Sequence, residues 1–224
     1  MRWSHAGYVL AAMVLLAAPS ARAQGDFLSN PQVQQMLQKF INPVVGAGEE
    51  YKTTGGAPGE RSLQIVFLGT ESVQGVKGYW VEMTFDIPEV GGTMYAKDLI
   101  VPGEERPRRV ILQLPGEAPM EWPSPGKPAK TKVENRHMHK VGNETVTVPA
   151  GTFACEHWQD DDSDVWINSK LAPITMVKSV NRHDHSTDVL VKTMKGEKDH
   201  ITGAIKPWDP SVFMRHMKGP GNDR

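Results

Sequence analysis

The sequence predicts a mainly β protein, built as a curved antiparallel sheet or half-barrel with a short N-terminal helix and a short C-terminal helix. Two observations support this fold class. From residue 63 onward, short runs rich in β-branched and aromatic residues are separated by turn signals about every ten residues. No helical periodicity intervenes between these runs, which favours antiparallel over parallel pairing. About 200 mature residues are typical of a single domain.

The first 23 residues predict a secretory signal peptide. Arg2 precedes an apolar run at 8–18, and Pro19 is followed by an A-x-A cleavage signal that ends at Ala23. The apolar run is about half as long as a bilayer-spanning helix, and no later segment approaches the roughly 18 consecutive apolar residues required. We therefore expect a periplasmic or secreted mature chain without a stable membrane span, cleaved near Ala23.

Residues 24–60 predict a short helix followed by a linker. Asn30 is a good N-cap and Pro31 suits the first helical position. Apolar residues then recur at intervals of three and four, which makes one apolar stripe on a helix. They are Val33, Met36, Leu37, Phe40 and Ile41. The stretch 42–60 contains glycine and proline and is expected to end the helix.

Residues 61–206 predict the antiparallel β domain. In 81–87 the apolar Val81, Met83 and Phe85 alternate with Glu82 and Thr84, so one face is expected to be apolar and the other in water. The segment 114–128 is rich in proline and predicts a loop. The candidate strands are 63–68, 81–87, 94–101, 110–114, 131–141, 145–148, 152–158, 164–167, 174–181 and 187–194.

Residues 207–224 predict a closing helix and a tail. Asp209 is a suitable N-cap, Pro210 fits the first turn, and Gly219 is a stop signal.

The only cysteine of the chain lies in a predicted hairpin. Strand 145–148 is followed by Pro149 and Gly151, which suit a type I turn with a glycine of positive φ. In the next strand Cys155 shares one side with Phe153, so we expect a buried thiol that behaves as a small hydrophobe. A reactive or metal-ligating thiol is the alternative, with His157 two residues further along the same side. A single cysteine excludes an internal disulfide.

The same segment carries a resemblance to a known family. The runs at 144–155 (ETVTVPAGTFAC), 164–168 (DVWIN) and 171–179 (LAPITMVKS) resemble exported bacterial proteins related to the lipoprotein-localisation factor. The resemblance covers 131–194 most specifically. It implies an antiparallel half-barrel with a helical cover and an apolar concave face that holds acyl chains, and it brings no catalytic motif.

The first functional hypothesis is a non-enzymatic periplasmic binding or carrier protein for an acyl chain, a lipid or a lipidated partner. No cofactor is predicted. Removal of the signal peptide leaves 23 basic and 26 acidic residues, which gives no basic footprint for nucleic acid. The residues expected to line the apolar cavity are Met83, Phe85, Leu112, Leu114, Phe153 and Trp166.

The second hypothesis is a periplasmic transition-metal-binding protein. His137 and His139 form one H-x-H pair, and His183 and His185 form another, both on candidate strands. Alternate strand residues lie on one face about 6.6 Å apart, so each pair could direct two imidazoles at one zinc or copper ion. Solvated surface histidines are the alternative interpretation.

A third hypothesis is a hydrolase whose site is assembled from dispersed residues around His157 and nearby acids. The sequence contains no G-x-S-x-G, H-E-x-x-H, C-x-x-C or G-x-G-x-x-G motif. The absence of these motifs lowers the expectation of catalysis.

Overall fold

The computed structural model describes residues 41–56, 60–87, 92–101, 107–123 and 138–217. Within these ranges the chain forms one open, curved sheet of twelve strands and a short C-terminal helix. In the same ranges, no helix has the length and apolar character that a membrane crossing requires.

The strands pair antiparallel throughout except where β12 joins β6. Their spatial order is β12-β6-β5-β4-β3-β2-β1-β11-β10-β9-β8-β7. The elements are β1 (Gly48–Thr54), β2 (Arg61–Val73), β3 (Val76–Ile87), β4 (Gly92–Ile100), β5 (Arg109–Gln113), β6 (Met120–Glu121), β7 (His139–Val148), β8 (Gly151–Gln159), β9 (Ser163–Ile167), β10 (Met176–Asn181), β11 (Thr187–Met194), β12 (Lys206–Pro207) and α1 (Pro210–Met217).

The predicted fold class is confirmed as mainly β, with a curved antiparallel sheet. The predicted C-terminal helix is present as α1. Strand β11 has the predicted bounds, whereas β2 and β3 are longer than predicted and form one extended hairpin. The signal peptide and the predicted N-terminal helix up to residue 40 lie outside the described residues.

The segment predicted as a linker contains a strand, so the sheet begins before residue 61. β1 pairs with β2 on one side and with β11 on the other, which places it in the middle of the sheet. Its Glu49 and Tyr51 are almost fully buried. The predicted loop at 114–128 likewise includes the short strand β6. Polar and turn-forming residues in these two segments therefore do not prevent sheet pairing.

One side of the sheet, which we call the inner face, carries most of the core. Ile65, Met83, Ala96 and Leu112 stand opposite one another on four neighbouring strands, and all four are buried. In antiparallel pairs, directly opposed residues share a face, so this register makes a continuous apolar row. Glu82 and Lys97 lie on the other side, which we call the outer face, because side chains alternate along a strand.

The predicted hairpin around Cys155 is present as β7 and β8, joined by Pro149 and Ala150. Gly151 has φ of 138°, a backbone conformation that favours glycine. The Ala150 amide donates to the Leu190 carbonyl at 3.3 Å, so the hairpin tip contacts β11. β7 forms one edge of the sheet, and a bulge interrupts its register between Lys140 and Gly142.

Candidate ligand-binding face

The inner face extends from the main core into a second apolar cluster near β4, β5 and β6. This cluster, which we call the α1 patch, consists of the buried residues Met94, Leu114, Met120 and Val212. Phe85 and Trp208 pack against both the α1 patch and the main core, and they join the two into one apolar surface.

Helix α1 covers the α1 patch through Val212. Asp209 caps the helix, because its Oδ1 accepts a hydrogen bond from the Ser211 amide at 2.8 Å. Hydrogen bonds with the Ser211 side chain and with the Ser211 amide lower the pKa of Asp209, as expected of a carboxylate at a helix N-terminus. On the opposite side of the helix Met214 is 54% exposed. Helix α1 is therefore short, with one side buried against the α1 patch and the other side exposed.

Two tryptophans hold the chain that leads into α1. The rings of Trp122 and Trp208 lie 4.1 Å apart between centroids and are tilted by 51°. The Trp122 amide donates to the Val110 carbonyl at 2.8 Å, and the Lys206 amide donates to Pro119 at 2.9 Å. These contacts fix the position from which α1 starts.

Two buried carboxyl groups interrupt the apolar inner face. Asp98 lies between Val81 and Val110 in the strand register, and burial raises its pKa well above the usual range. Burial also raises the pKa of Glu49 to about 8, although hydrogen bonds from Tyr51 and the Ile174 amide oppose the rise. Both groups therefore favour the neutral acid in their surroundings.

The Tyr51 hydroxyl lies between Glu49 and a backbone carbonyl. The Tyr51 hydroxyl lies 2.8 Å from the Met176 carbonyl and 2.9 Å from Glu49 Oε2. A phenol has one proton to donate, so it can serve only one of these two acceptors. Donation from Tyr51 to Glu49 favours the carboxylate, so this hydrogen bond opposes the rise in the pKa of Glu49 that burial causes.

Four of the six predicted cavity residues lie together on the inner face. Met83 and Leu112 belong to the buried row, Leu114 belongs to the α1 patch, and Phe85 packs against that patch. The register from β1 to β9 places Val165 on the inner face, and its neighbour Trp166 therefore lies on the outer face. Phe153 shares its side of β8 with His157, which stands opposite Trp166. These six residues consequently do not line one surface.

The structure places the histidine pairs differently from the sequence prediction. His183 and His185 lie in the turn after β10 rather than on a strand. Asn181 Oδ1 accepts from the His183 amide at 2.8 Å, a contact that favours a turn. His139 lies on β7, and His137 is outside the described residues. Across the described ranges, no group of three or more potential ligands is arranged to hold a metal ion.

A polar cluster lies on the outer face around His157, the residue that the hydrolase hypothesis named together with nearby acids. Its Nδ1 is 2.8 Å from Glu144 Oε1, and its Nε2 is 2.8 Å from Asp164 Oδ1. The imidazole stacks on Trp166 with centroids 4.4 Å apart. Arg182 donates to the second oxygen of Asp164 at 2.8 Å. Carboxylates thus engage both ring nitrogens of His157, and neither is directed at a nucleophile as the hydrolase hypothesis requires.

A second polar cluster lies on the outer face of β3 and β4. The segment 195–205 crosses this face, and its His200 contacts the fully buried Glu82 through both the ring and the backbone amide. Asp199 forms an ion pair with Lys97, and the His200 ring stacks on Tyr95. Neither polar cluster has a spacing signature, because its members come from separate strands and loops.

Cys155 is buried, as the hairpin pattern predicted. Burial raises the pKa of its thiol, and the negative charge of Glu144 adds to that rise. The sulfur lies 3.5 Å from the Phe153 carbonyl oxygen. A buried thiol with a raised pKa is a poor nucleophile, which favours the structural over the reactive interpretation.

No protein-family model and no curated protein matches the chain. Among solved structures, it is similar to a candidate lipoprotein of Parabacteroides distasonis, with a TM-score of 0.36 and 14% identity over 69% of this chain and 98% of that one. A candidate exported protein with a YmcC-like fold from Bacteroides fragilis has a TM-score of 0.36 and 15% identity over 70% of this chain and 99% of that one. MucB in complex with MucA(peri) has a TM-score of 0.41 and 9% identity over 81% of this chain and 59% of that one. At these values the comparisons assign the chain to no family.

Proposed function

We propose that this protein is an exported, non-enzymatic binding or carrier protein whose inner face accepts the acyl chain of a lipid or a lipidated partner. The observation that carries the proposal is the continuity of the apolar inner face. It runs from Met83 and Leu112 in the core to Met94, Leu114 and Met120 beneath α1.

In this proposal, helix α1 moves to admit the ligand. It has eight residues, and helices of this length are not stable in water without tertiary contacts. Its described contact with the α1 patch is made by Val212, and the preceding chain adds Trp208. Moving α1 would open Leu114 and Met120 to an acyl chain without breaking the central strands.

The side chains of the α1 patch suit a ligand of irregular shape. Met94 and Met120 are unbranched and adapt to different apolar surfaces. Phe85, at the junction with the main core, is half-buried and supplies a rigid apolar wall. Export to the periplasm or beyond follows from the leader sequence at 1–23 and is part of the same proposal.

The proposal is tested with the mature chain from residue 24 onward. N-phenyl-1-naphthylamine, whose fluorescence rises in apolar surroundings, should bind, and dodecanoic acid should displace it. Mass spectrometry of an organic extract of the purified protein should detect copurified lipid. The proposal fails if the probe does not bind and the extract contains no lipid.

A matched pair of variants localises the site. Phe85→Ser removes an apolar wall at the junction between the α1 patch and the core, and it should weaken probe binding about tenfold or more. Val141→Ser removes an apolar side chain that is 51% exposed on the edge strand β7, and it should leave binding unchanged. Equal effects of the two substitutions would place the ligand elsewhere.

A further inference from the structure

Asp98 carries a carboxyl oxygen that lies in the apolar interior without a hydrogen-bond partner. The Asp98 side chain is 1% exposed and sits on the inner face between Val81 and Val110. Of the buried side-chain atoms in the described part of the chain, its Oδ2 is one that forms no hydrogen bond. Buried polar atoms are nearly always hydrogen-bonded, so an isolated one requires an explanation.

The other buried carboxyl group of the inner face differs from Asp98. Glu49 also has one oxygen without a partner, but its Oε2 accepts from the Ile174 amide at 3.0 Å and contacts Tyr51. Glu49 therefore joins β1 to the chain that precedes β10, which is a structural role. Asp98 makes no such described connection, and its directly opposed neighbours Val81 and Val110 are apolar.

We infer that Asp98 is the polar anchor of the inner face and that it selects long-chain ligands bearing a hydroxyl or an amide group. Hydroxylated and amide-linked acyl chains have this chemistry. The inference rests on the proposed acyl-binding function and adds the class of ligand.

The chemistry of a buried carboxyl group favours these two ligand groups. A hydroxyl or a primary or secondary amide can donate to Oδ2 and can also accept from the acid form, so it pairs with Asp98 in either protonation state. A ligand carboxylate or phosphate would bring a negative charge into an apolar face that holds no described cation beside Asp98. An ammonium group would have to lose its water, and that loss can exceed the gain from pairing. A neutral donor satisfies Oδ2 without either cost.

The test compares two chains of equal length, dodecan-1-ol and 1-chlorododecane, as competitors of N-phenyl-1-naphthylamine. The wild-type protein should bind the alcohol about tenfold more tightly, since the alcohol alone can donate to Asp98. Asp98→Val should abolish this preference. Asp98→Asn should keep it, because the amide still donates and accepts.

Thr84→Val is the matched control. Thr84 Oγ1 is also buried without a partner, but Thr84 lies on the outer face beside Glu82. This variant should retain the full preference for the alcohol. If its preference falls as far as that of Asp98→Val, the role assigned to Asp98 is overturned.

The outcomes separate this inference from the function on which it rests. If neither chain competes with the probe, the acyl-binding proposal itself fails. If both chains compete equally in the wild type, acyl binding stands and the anchor role of Asp98 is overturned. Should Asp98→Val not fold, the wild-type comparison together with Asp98→Asn still decides the question.

Discussion

The Nδ1 atom of His200 lies 2.6 Å from Oε1 of Glu82, whose side chain is fully buried. The His200 amide donates to the second carboxyl oxygen at 3.0 Å. Burial raises the pKa of Glu82, and the two hydrogen bonds from His200 oppose that rise. A loop residue thus supplies the described hydrogen bonds to an acid that the sheet has removed from water.

Substitution of His200 should therefore destabilise the sheet. His200→Ala removes the ring contact and leaves one oxygen of Glu82 buried without that partner, at a cost of about 1–3 kcal/mol. Chemical denaturation should show this loss, whereas His183→Ala, in an exposed turn, should change stability little. Adding Glu82→Gln to His200→Ala should recover part of the loss. A full additive loss in the double variant would contradict the pairing.

Glu49 should make the protein less stable as the pH rises. Its pKa is about 8 in the folded chain against an ordinary value of 4.5, so the folded state holds the proton more tightly than the unfolded state. The stability that Glu49 contributes is then fully present below about pH 4.5 and is lost as the pH rises through about 8. At about 1.4 kcal/mol per unit, the total effect is on the order of a few kcal/mol.

The measurement is the free energy of unfolding at pH 5, 6, 7 and 8. Glu49→Gln mimics the neutral acid and should flatten the decline. Asp98 and Glu82 have raised pKa values and act in the same direction, so the variant should remove only part of the slope. An unchanged slope in Glu49→Gln would show that Glu49 is ionised in the folded protein.

Asp164 should make the protein less stable as the pH falls, which is the opposite of the pH dependence expected from Glu49. Burial alone would raise its pKa, but hydrogen bonds from His157, Arg182 and Gln159 outweigh burial and lower it. A lowered pKa stabilises the fold above the ordinary pKa of 3.8, and this contribution is lost as the pH falls through the folded value. Asp164→Asn should therefore cost about 1 kcal/mol at pH 7.

The difference between Asp164→Asn and the wild type should shrink on acidification below about pH 4. Asp161→Asn, in the exposed turn before β9, is the control and should be as stable as the wild type at pH 7 and at pH 3. A difference that is the same at pH 7 and at pH 3 would mean that the variant acts through packing rather than charge.

Cys155→Ser should lower stability while leaving probe binding intact. The substitution places a more polar hydroxyl at a buried position beside Phe153, and this costs on the order of 1–3 kcal/mol if the hydroxyl finds no good partner. Thiol reagents should label the native protein slowly and the unfolded chain fast. Rapid labelling of the native protein, or a stable serine variant that no longer binds the probe, would favour a reactive thiol.

The alternation of Val81, Met83 and Phe85 was enough to predict which side of β3 faces the core. The same rule failed for Glu82, which was expected in water and is buried beneath His200. A sequence does not show which loop will cross a sheet. The burial of Glu82 depends on a contact between residues 118 positions apart.

The missing strand and the misplaced histidines have similar explanations. β1 contains Glu49, Glu50 and Lys52, and this charge concealed a central strand whose Glu49 is buried. His183 and His185 have the spacing of strand residues. The Asn181 side chain, however, accepts a hydrogen bond from the His183 amide, and this contact favours a turn. Four of the six cavity residues share the inner face because they lie on or beside β3 and β5. The other two required strand order, which a single sequence does not contain.

The two ends of the open sheet differ in a way that affects assembly between molecules. Within the described residues, β7 is a ten-residue edge that could template a further strand, but the bulge between Lys140 and Gly142 breaks its hydrogen-bonding row. At the opposite edge β12 has two residues, and Pro207 has no amide hydrogen to donate. A neighbouring molecule would therefore meet an interrupted row of backbone hydrogen-bonding groups at β7 and a strand of only two residues at β12. Within the described residues, the two edges of the sheet therefore offer little support for end-to-end growth into fibres.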